Sequence, residues 1–150
     1  MSRGLLLCTA LGTAMACVPA SCEEDLRAQT GLPEVRLLLP NETLAAEEAK
    51  GTTELERGWK HRQCDRGALW LNPEDPDASL DVWGCGLVDP VSVYFVGGGE
   101  VLEIVDSLEP CPEPCLACPT RPAPPGSAQA LETLVGRVEL EVGDAVQVLQ

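Results

Sequence analysis

Three cysteines, Cys111, Cys115 and Cys118, fall inside the stretch EPCPEPCLACP at 109–119. A cluster of this kind supports three different chemistries. Thiolates hold zinc, which wants four ligands, and His61, Cys64 or Cys85 would have to supply the fourth. Cys115-Leu116-Ala117-Cys118 is also a C-x-x-C, the spacing of thiol–disulfide exchange, where the first thiol is activated at a helix N-terminus. The third use is a set of structural disulfides. Pro110, Pro112, Pro114 and Pro119 deny the segment a continuous helix, and no βαβ pattern precedes it, which weighs against exchange. A zinc site is weakened because no second C-x-x-C and no paired histidine accompany the cluster.

The compartment tips the balance. The chain begins MSRGLLLCTALGTAMACVPASC, with an arginine near the start, an apolar run from Leu5 to Val18 and small residues after it. Residues 1–21 read as a secretory signal peptide, too short to be a permanent span. Cys17 and Cys22 each follow a small residue, so a lipid anchor on either one is an alternative N-terminus, although neither has the usual leucine three residues before it. Exported cysteines commonly pair. Losing Cys8 and Cys17 with the leader leaves an even set: Cys22, Cys64, Cys85, Cys111, Cys115 and Cys118. Disulfides are therefore the favoured use of the cluster.

Charge excludes several partners. With 24 acidic and 10 basic residues the net charge is −14, and neither nucleic acid nor an anionic membrane surface suits such a chain. Aromatics make up only 3%, too few for base-stacking platforms. The basic residues gather in RGWKHRQCDR at 57–66. Arg57 or Arg62 could meet an anionic ligand there, with Trp59 as an apolar wall, or the cations could simply complement a helix C-terminus. His61 is the sole histidine, and its cationic surroundings suit a catalytic dyad poorly. The acidic loop NPEDPDAS at 72–79 lacks the glycine-pivoted spacing of a calcium loop. Asn41-Glu42-Thr43 is a glycosylation sequon, relevant only in a eukaryotic secretory pathway.

These groups need elements to hold them. VSVYFV (91–96), GGG (97–99) and EVLEIVDSL (100–108) form two β-branched runs around a glycine turn, hence a hairpin. GALWL (67–71), LDVWGCG (80–86), ALETLV (130–135) and DAVQVLQ (144–150) read as strands, and GLPEVRLLLPN (31–41) holds a short one. TLAAEEAK (43–50) is rich in helix formers. Thr53 to Glu56 has the capping-box pattern, predicting a short helix over residues 54–62. If GALWL and LDVWGCG pair as antiparallel neighbours, Cys64 meets Cys85.

In this order the pieces resemble the family catalogued as domain of unknown function 192. The matching stretches are LERGWKHR (55–62), GALW (67–70), DVWGCGLVDPVSVYFV (81–96), LETLVG (131–136) and VGDAV (142–146). Glu56, Arg57, Gly58, Arg62, Trp83, Pro90, Gly143 and Asp144 match the family's pattern. The family's Lys-Asn-Thr is here Cys85-Gly86-Leu87, and the aspartate of its PLD is Ser92. The resemblance implies a small β-barrel-like domain, often exported and largely prokaryotic, with no established reaction.

The sequence thus predicts a mostly β chain: a small antiparallel barrel-like or sandwich domain over 43–150 with one short helix, preceded by a leader (1–21) and an N-terminal segment (22–42). It predicts an exported module, in the periplasm, envelope or outside the cell, that binds or supports and is stapled by disulfides. No catalytic group, metal or cofactor is assigned. The alternatives are a thiol–disulfide protein using Cys115 and Cys118, and a metal module using Cys111, Cys115 and Cys118. A ligand, either a small molecule or an envelope protein, would contact Arg57, Trp59, Arg62 and Trp83, between the RGWKHR segment and the DVWGCG strand.

Overall fold

Residues 6–7, 18–19, 22–64 and 67–149 are described by the computed structural model. The expected leader lies outside the described residues, apart from a two-residue antiparallel ladder of Leu6–Leu7 (β1) with Val18–Pro19 (β2). The body then runs β3 (Glu34–Leu38), β4 (Thr43–Ala49), α1 (Thr52–Arg57), β5 (Ala68–Leu71), β6 (Val82–Trp83), β7 (Val91–Gly97) and β8 (Glu100–Leu108). A single 3-10 turn at Cys115–Ala117 follows, then β9 (Thr120–Arg121), β10 (Gln129–Leu134) and β11 (Gln147–Leu149). The chain is mostly β, as its alternating apolar runs imply.

Seven strands form one mixed sheet in the order β11-β3-β4-β5-β10-β7-β8. Every neighbouring pair is antiparallel except β4 with β5. The hairpin β7–β8 turns on Gly98 and Gly99, whose φ of 62° and 83° suit a residue without a Cβ. The sheet also curls. Residues 143–146 lead into β11 at one edge, yet they bond to the start of β8 at the other: Val101 N–H donates to Asp144 O at 2.9 Å, and Val146 N–H to Gly99 O at 2.8 Å. The strands do not close into a complete barrel. β3 belongs to the same sheet, although it precedes residue 43.

Two apolar layers fill the two sides of the sheet. Leu44, Ala46, Trp70, Leu131 and Tyr94 pack with Val138, Leu140 and Val146 inside the curl. Ala49, Leu69, Leu71, Ala130, Val93 and Phe95 face the other way, under Trp59, Leu80, Val82 and, from α1, Leu55.

Three local expectations change. TLAAEEAK is not helical but strand β4, with alternating exposed and buried residues at its start. Helix propensity is a weak term, and pairing with β3 on one side and β5 on the other outweighs it. The helix is shorter than predicted and starts earlier: Gly51 is its N-cap, and the Glu54 carboxylate accepts from the N–H groups of Lys50 (2.9 Å) and Gly51 (3.1 Å). Those bonds hold the Glu54 carboxyl below its ordinary range. Finally, LDVWGCG contributes a strand of only two residues, joined to β9 in a separate small sheet. Gly84 ends that strand, because a Cβ there would overlap the Glu109 carbonyl where the cysteine-rich segment crosses.

Candidate functional site

The cysteine-rich segment is a clasp. Cys111 N–H donates to Gly84 O at 2.7 Å, and Gly86 N–H donates to Cys111 O at 3.1 Å, so residues 84–86 and 111 lie side by side. Two disulfides lock that crossing, Cys85–Cys115 and Cys111–Cys118, and a third joins Cys22 to Cys64. All six cysteines of the predicted set are used. The predicted Cys64–Cys85 pair is not formed. β5 lies between β4 and β10, and β6 pairs with β9, so the two strands thought to be neighbours are not.

These pairings bear on the other chemistries. Cys115 and Cys118 are bonded to different partners, so the C-x-x-C is not a disulfide unit. Cys85, Cys115 and Glu113 converge closely enough to suggest a metal site, but both sulfurs are spent on each other. The sulfur of Cys22 is bonded to Cys64, which leaves none for a lipid thioether at that position. Three disulfides are compatible with export. Among the described residues no helix is long and apolar enough to cross a membrane.

The clasp fixes one wall of a cleft. β9 follows Cys118 directly and pairs with β6, which carries Trp83. Facing that wall is the chain leaving α1, with Arg57, Trp59 and Lys60. Between them lies a cleft of about 600 Å³, lined further by Leu71, Leu80 and Leu87. Trp59 is buried and Trp83 is partly exposed. Lys60 Nζ sits 4.9 Å from the centre of the Trp83 ring, within cation–π range.

Arg57, Trp59 and Trp83 therefore line one cleft, and Arg62 does not. Its guanidinium is fully buried, 5.1 Å from the Trp59 ring and 2.7 Å from Glu47 Oε2, off hydrogen-bond geometry. Glu47 Oε1 accepts from the N–H groups of Gly31 (2.8 Å) and Leu32 (3.1 Å). Gln29 Nε2 donates to the carbonyls of Glu54 and Gly58, both at 2.9 Å. Arg62 and Glu47 thus tie the N-terminal segment, the turn after α1 and β4 together. His61 adopts a positive φ of 61° beside Gly86, with Nε2 3.5 Å from Glu113 Oε1.

Among the cleft residues not singled out in the sequence is a buried carboxylate. Glu132, in the middle of β10, is 5% exposed and lines the cleft. The backbone N–H of Trp59 lies near enough to its carboxylate to favour the charged form, while its Oε2 has no hydrogen-bond partner among the described residues. Burial pushes its carboxyl up to about 7, with Arg62 and the Trp59 N–H pulling the other way. The available signal was a lone carboxylate in the otherwise uncharged run Ala130-Leu131-Glu132-Thr133-Leu134. A second concavity lies on the curl side, where both lining hydroxyls are engaged: Tyr94 O–H donates to Val138 O and Ser92 O–H to Asp106 O, both at 2.8 Å.

The architecture is shared with solved structures. A protein of unknown function from Novosphingobium aromaticivorans DSM 12444 superposes with a TM-score of 0.66 at 22% identity, covering 85% of this chain and 94% of its own. A proposed transcription regulator from Sinorhizobium meliloti 1021 gives 0.64 at 18% identity, covering 80% of this chain and 97% of its own. At these identities the likeness shows the fold alone. No family model and no curated protein matches the chain.

Proposed function

We propose that the mature chain is an exported binding module of the family catalogued as domain of unknown function 192, and that the cleft between the Arg57–Lys60 turn and β6 receives a small molecule. The cleft itself carries this proposal: an apolar concavity walled by Trp59 and Trp83, with Arg57 among its lining residues and a buried carboxylate in it. Such concavities, mostly apolar with a few polar groups, are the usual form of a ligand site. Support for the family comes from the five ordered motifs, three of which, LERGWKHR, DVWGCGLVDPVSVYFV and LETLVG, supply cleft residues. The cysteines act as staples, since each sulfur of the six has a partner.

A ligand-observed NMR screen of the oxidised chain against a library of small metabolites tests the proposal. Ser79 is exposed and lines the cleft, so Ser79→Trp should obstruct it while sparing the core. Hits should weaken at least about tenfold in that variant, equivalent to about 1.4 kcal/mol. A screen without hits, or hits indifferent to Ser79→Trp, defeats the proposal. For export, the N-terminus of protein recovered from the cell envelope should begin near residue 17 to 22, and an intact Met1 would contradict it.

A further inference from the structure

Glu47, Leu69, Glu132 and Val93 stand in one row across β4, β5, β10 and β7, because Leu69 is in register with both Glu47 and Glu132, and Glu132 with Val93. Residues directly opposite one another in a sheet point to the same face. Here that is the apolar face covered by Trp59, Leu80 and Val82. Two carboxylates therefore enter an apolar layer in which, among the described residues, one guanidinium lies close by, that of Arg62. Glu47 takes it, at 2.7 Å. Glu132 has the backbone N–H of Trp59 nearby, and its Oε2 is without a hydrogen-bond partner among the described residues. Buried charges are ordinarily paired, since an unpaired one forfeits its hydration for nothing. In its ionised form the Glu47–Arg62–Glu132 group is one positive charge short.

We infer that the cleft takes a small organic cation, a primary ammonium or guanidinium on an apolar body, with the open oxygen of Glu132 as acceptor for its charged end; this rests on the cleft being a ligand site. The remaining charges along the cleft agree. Glu56, Asp75 and Asp81 are acidic, against Arg57 and Lys60. Lys60 is already engaged over Trp83, which shows that this wall accepts a cation on its π face. With a net charge of −14 the long-range field also draws cations. Of the two arginines expected to meet an anion, Arg57 or Arg62, only Arg57 lines the cleft, since Arg62 is sequestered with Glu47 outside it. A divalent metal ion fits less well, because it needs several oxygen ligands and the buried, apolar part of the cleft offers one carboxylate.

Three isosteric probes separate the possibilities: phenethylamine, phenethyl alcohol and phenylacetate, measured by calorimetry on the oxidised full chain. Phenethylamine should bind tightest. Because burial raises the Glu132 carboxyl to about 7, the amine's affinity should rise roughly tenfold between about pH 6 and about pH 8, as Glu132 ionises while the ammonium stays charged. In Glu132→Gln that rise should vanish, and affinity near the upper pH should fall by about tenfold or more. The pH series on the unaltered protein is informative even if the variant folds poorly. Absence of phenethylamine binding at millimolar concentration overturns the inference, as does an affinity that does not change with pH or one no better than the alcohol's. Should the alcohol or phenylacetate bind instead, and Ser79→Trp block it, the cleft stands as a site and only the cation is refuted. If neither these probes nor the metabolite screen finds a ligand there, both fall.

Discussion

The two faces of the main sheet solve the same burial problem by different means. Inside the curl, Leu44, Trp70, Tyr94 and Leu131 meet Val138, Leu140 and Val146. Polar groups on that side are mostly answered locally. Tyr94 O–H has the Val138 carbonyl at 2.8 Å, and Glu48 has Lys50 Nζ at 3.0 Å and Asn72 Nδ2 at 2.8 Å. Only the Trp70 indole N–H lacks a partner among its side chains described here. The opposite face is covered by one short helix, an irregular loop and the cysteine clasp. It buries Arg62, holds Glu132 with an open oxygen, leaves a cleft and needs disulfides. Packing that is continuous along strands leaves little room for a site. A cover built from turns leaves gaps, and its polar groups are positioned by covalent staples.

The sharpest way to break this contrast is to unbalance the buried charges. Glu47→Leu removes the carboxylate that is ion-paired with the Arg62 guanidinium at 2.7 Å, and removing one partner of a buried pair costs about 3 to 5 kcal/mol. Arg62→Leu should cost less, since Glu47 is only half-buried and keeps the Gly31 and Leu32 N–H groups. Denaturant melts of both variants check the order. Equal losses would mean that the pair's charges are not what stabilises this face.

Next in size is the clasp. Replacing Cys85 and Cys115 together by serine frees a loop of 30 residues, for which chain entropy predicts a loss of about 3 to 4 kcal/mol. The damage should be one-sided. Hydrogen exchange should quicken at β6 and β9 and around Trp83, while β7 and β10 at the centre of the sheet remain protected. Uniform acceleration would show that the two faces do not differ in this way.

Sequence made the inner face far more legible than the covered one. The β7–β8 hairpin was plain because its signal is local: two β-branched runs and glycines that tolerate positive φ. The place of α1 was readable from its acids and cations, though not its register, because Gly51 caps it in place of Thr53. β4 showed only helix propensity in the sequence, because Ala, Leu and Glu favour a helix, and its pairing with β3 and with the more distant β5 is what makes it a strand. Strand order is likewise nonlocal, so the Cys64–Cys85 pairing rested on a neighbour relation the sheet does not contain. Arg57, Trp59 and Trp83 were chosen for chemistry and do line one cleft. Glu132 was overlooked because its meaning depends on Arg62 already being taken by Glu47, a fact of packing.

Titration offers a third test. Glu132 is buried with its carboxyl raised to about 7 from an ordinary 4.5. A raised folded value means that the native state binds the proton more tightly than the unfolded chain. The stability this gives is complete below the unfolded value and is lost as pH climbs through the folded one. Between about pH 5 and about pH 8 the covered face should thus cost the protein about 2 to 3 kcal/mol. Glu132→Gln should flatten that decline and be the more stable protein at the upper end. Thermal melts across the range decide it, and a variant that declines as steeply as the parent would assign the titration elsewhere.

The smallest effect is expected on the inner face, and it should differ in kind. Tyr94→Phe removes the donor to Val138 O without creating a cavity, leaving one carbonyl short of a partner. A neutral hydrogen bond of this sort is worth about 1 kcal/mol. Burial holds the Tyr94 phenol above its ordinary range, so it stays protonated throughout, and the loss should be the same at about pH 5 and about pH 8, in contrast to Glu132→Gln. Tyr94 belongs to the core opposite the cleft, so phenethylamine affinity should not move either. A Tyr94→Phe variant with altered pH dependence or altered probe affinity would show that the two faces communicate through β10, whose residues Leu131 and Glu132 point to opposite sides of the sheet.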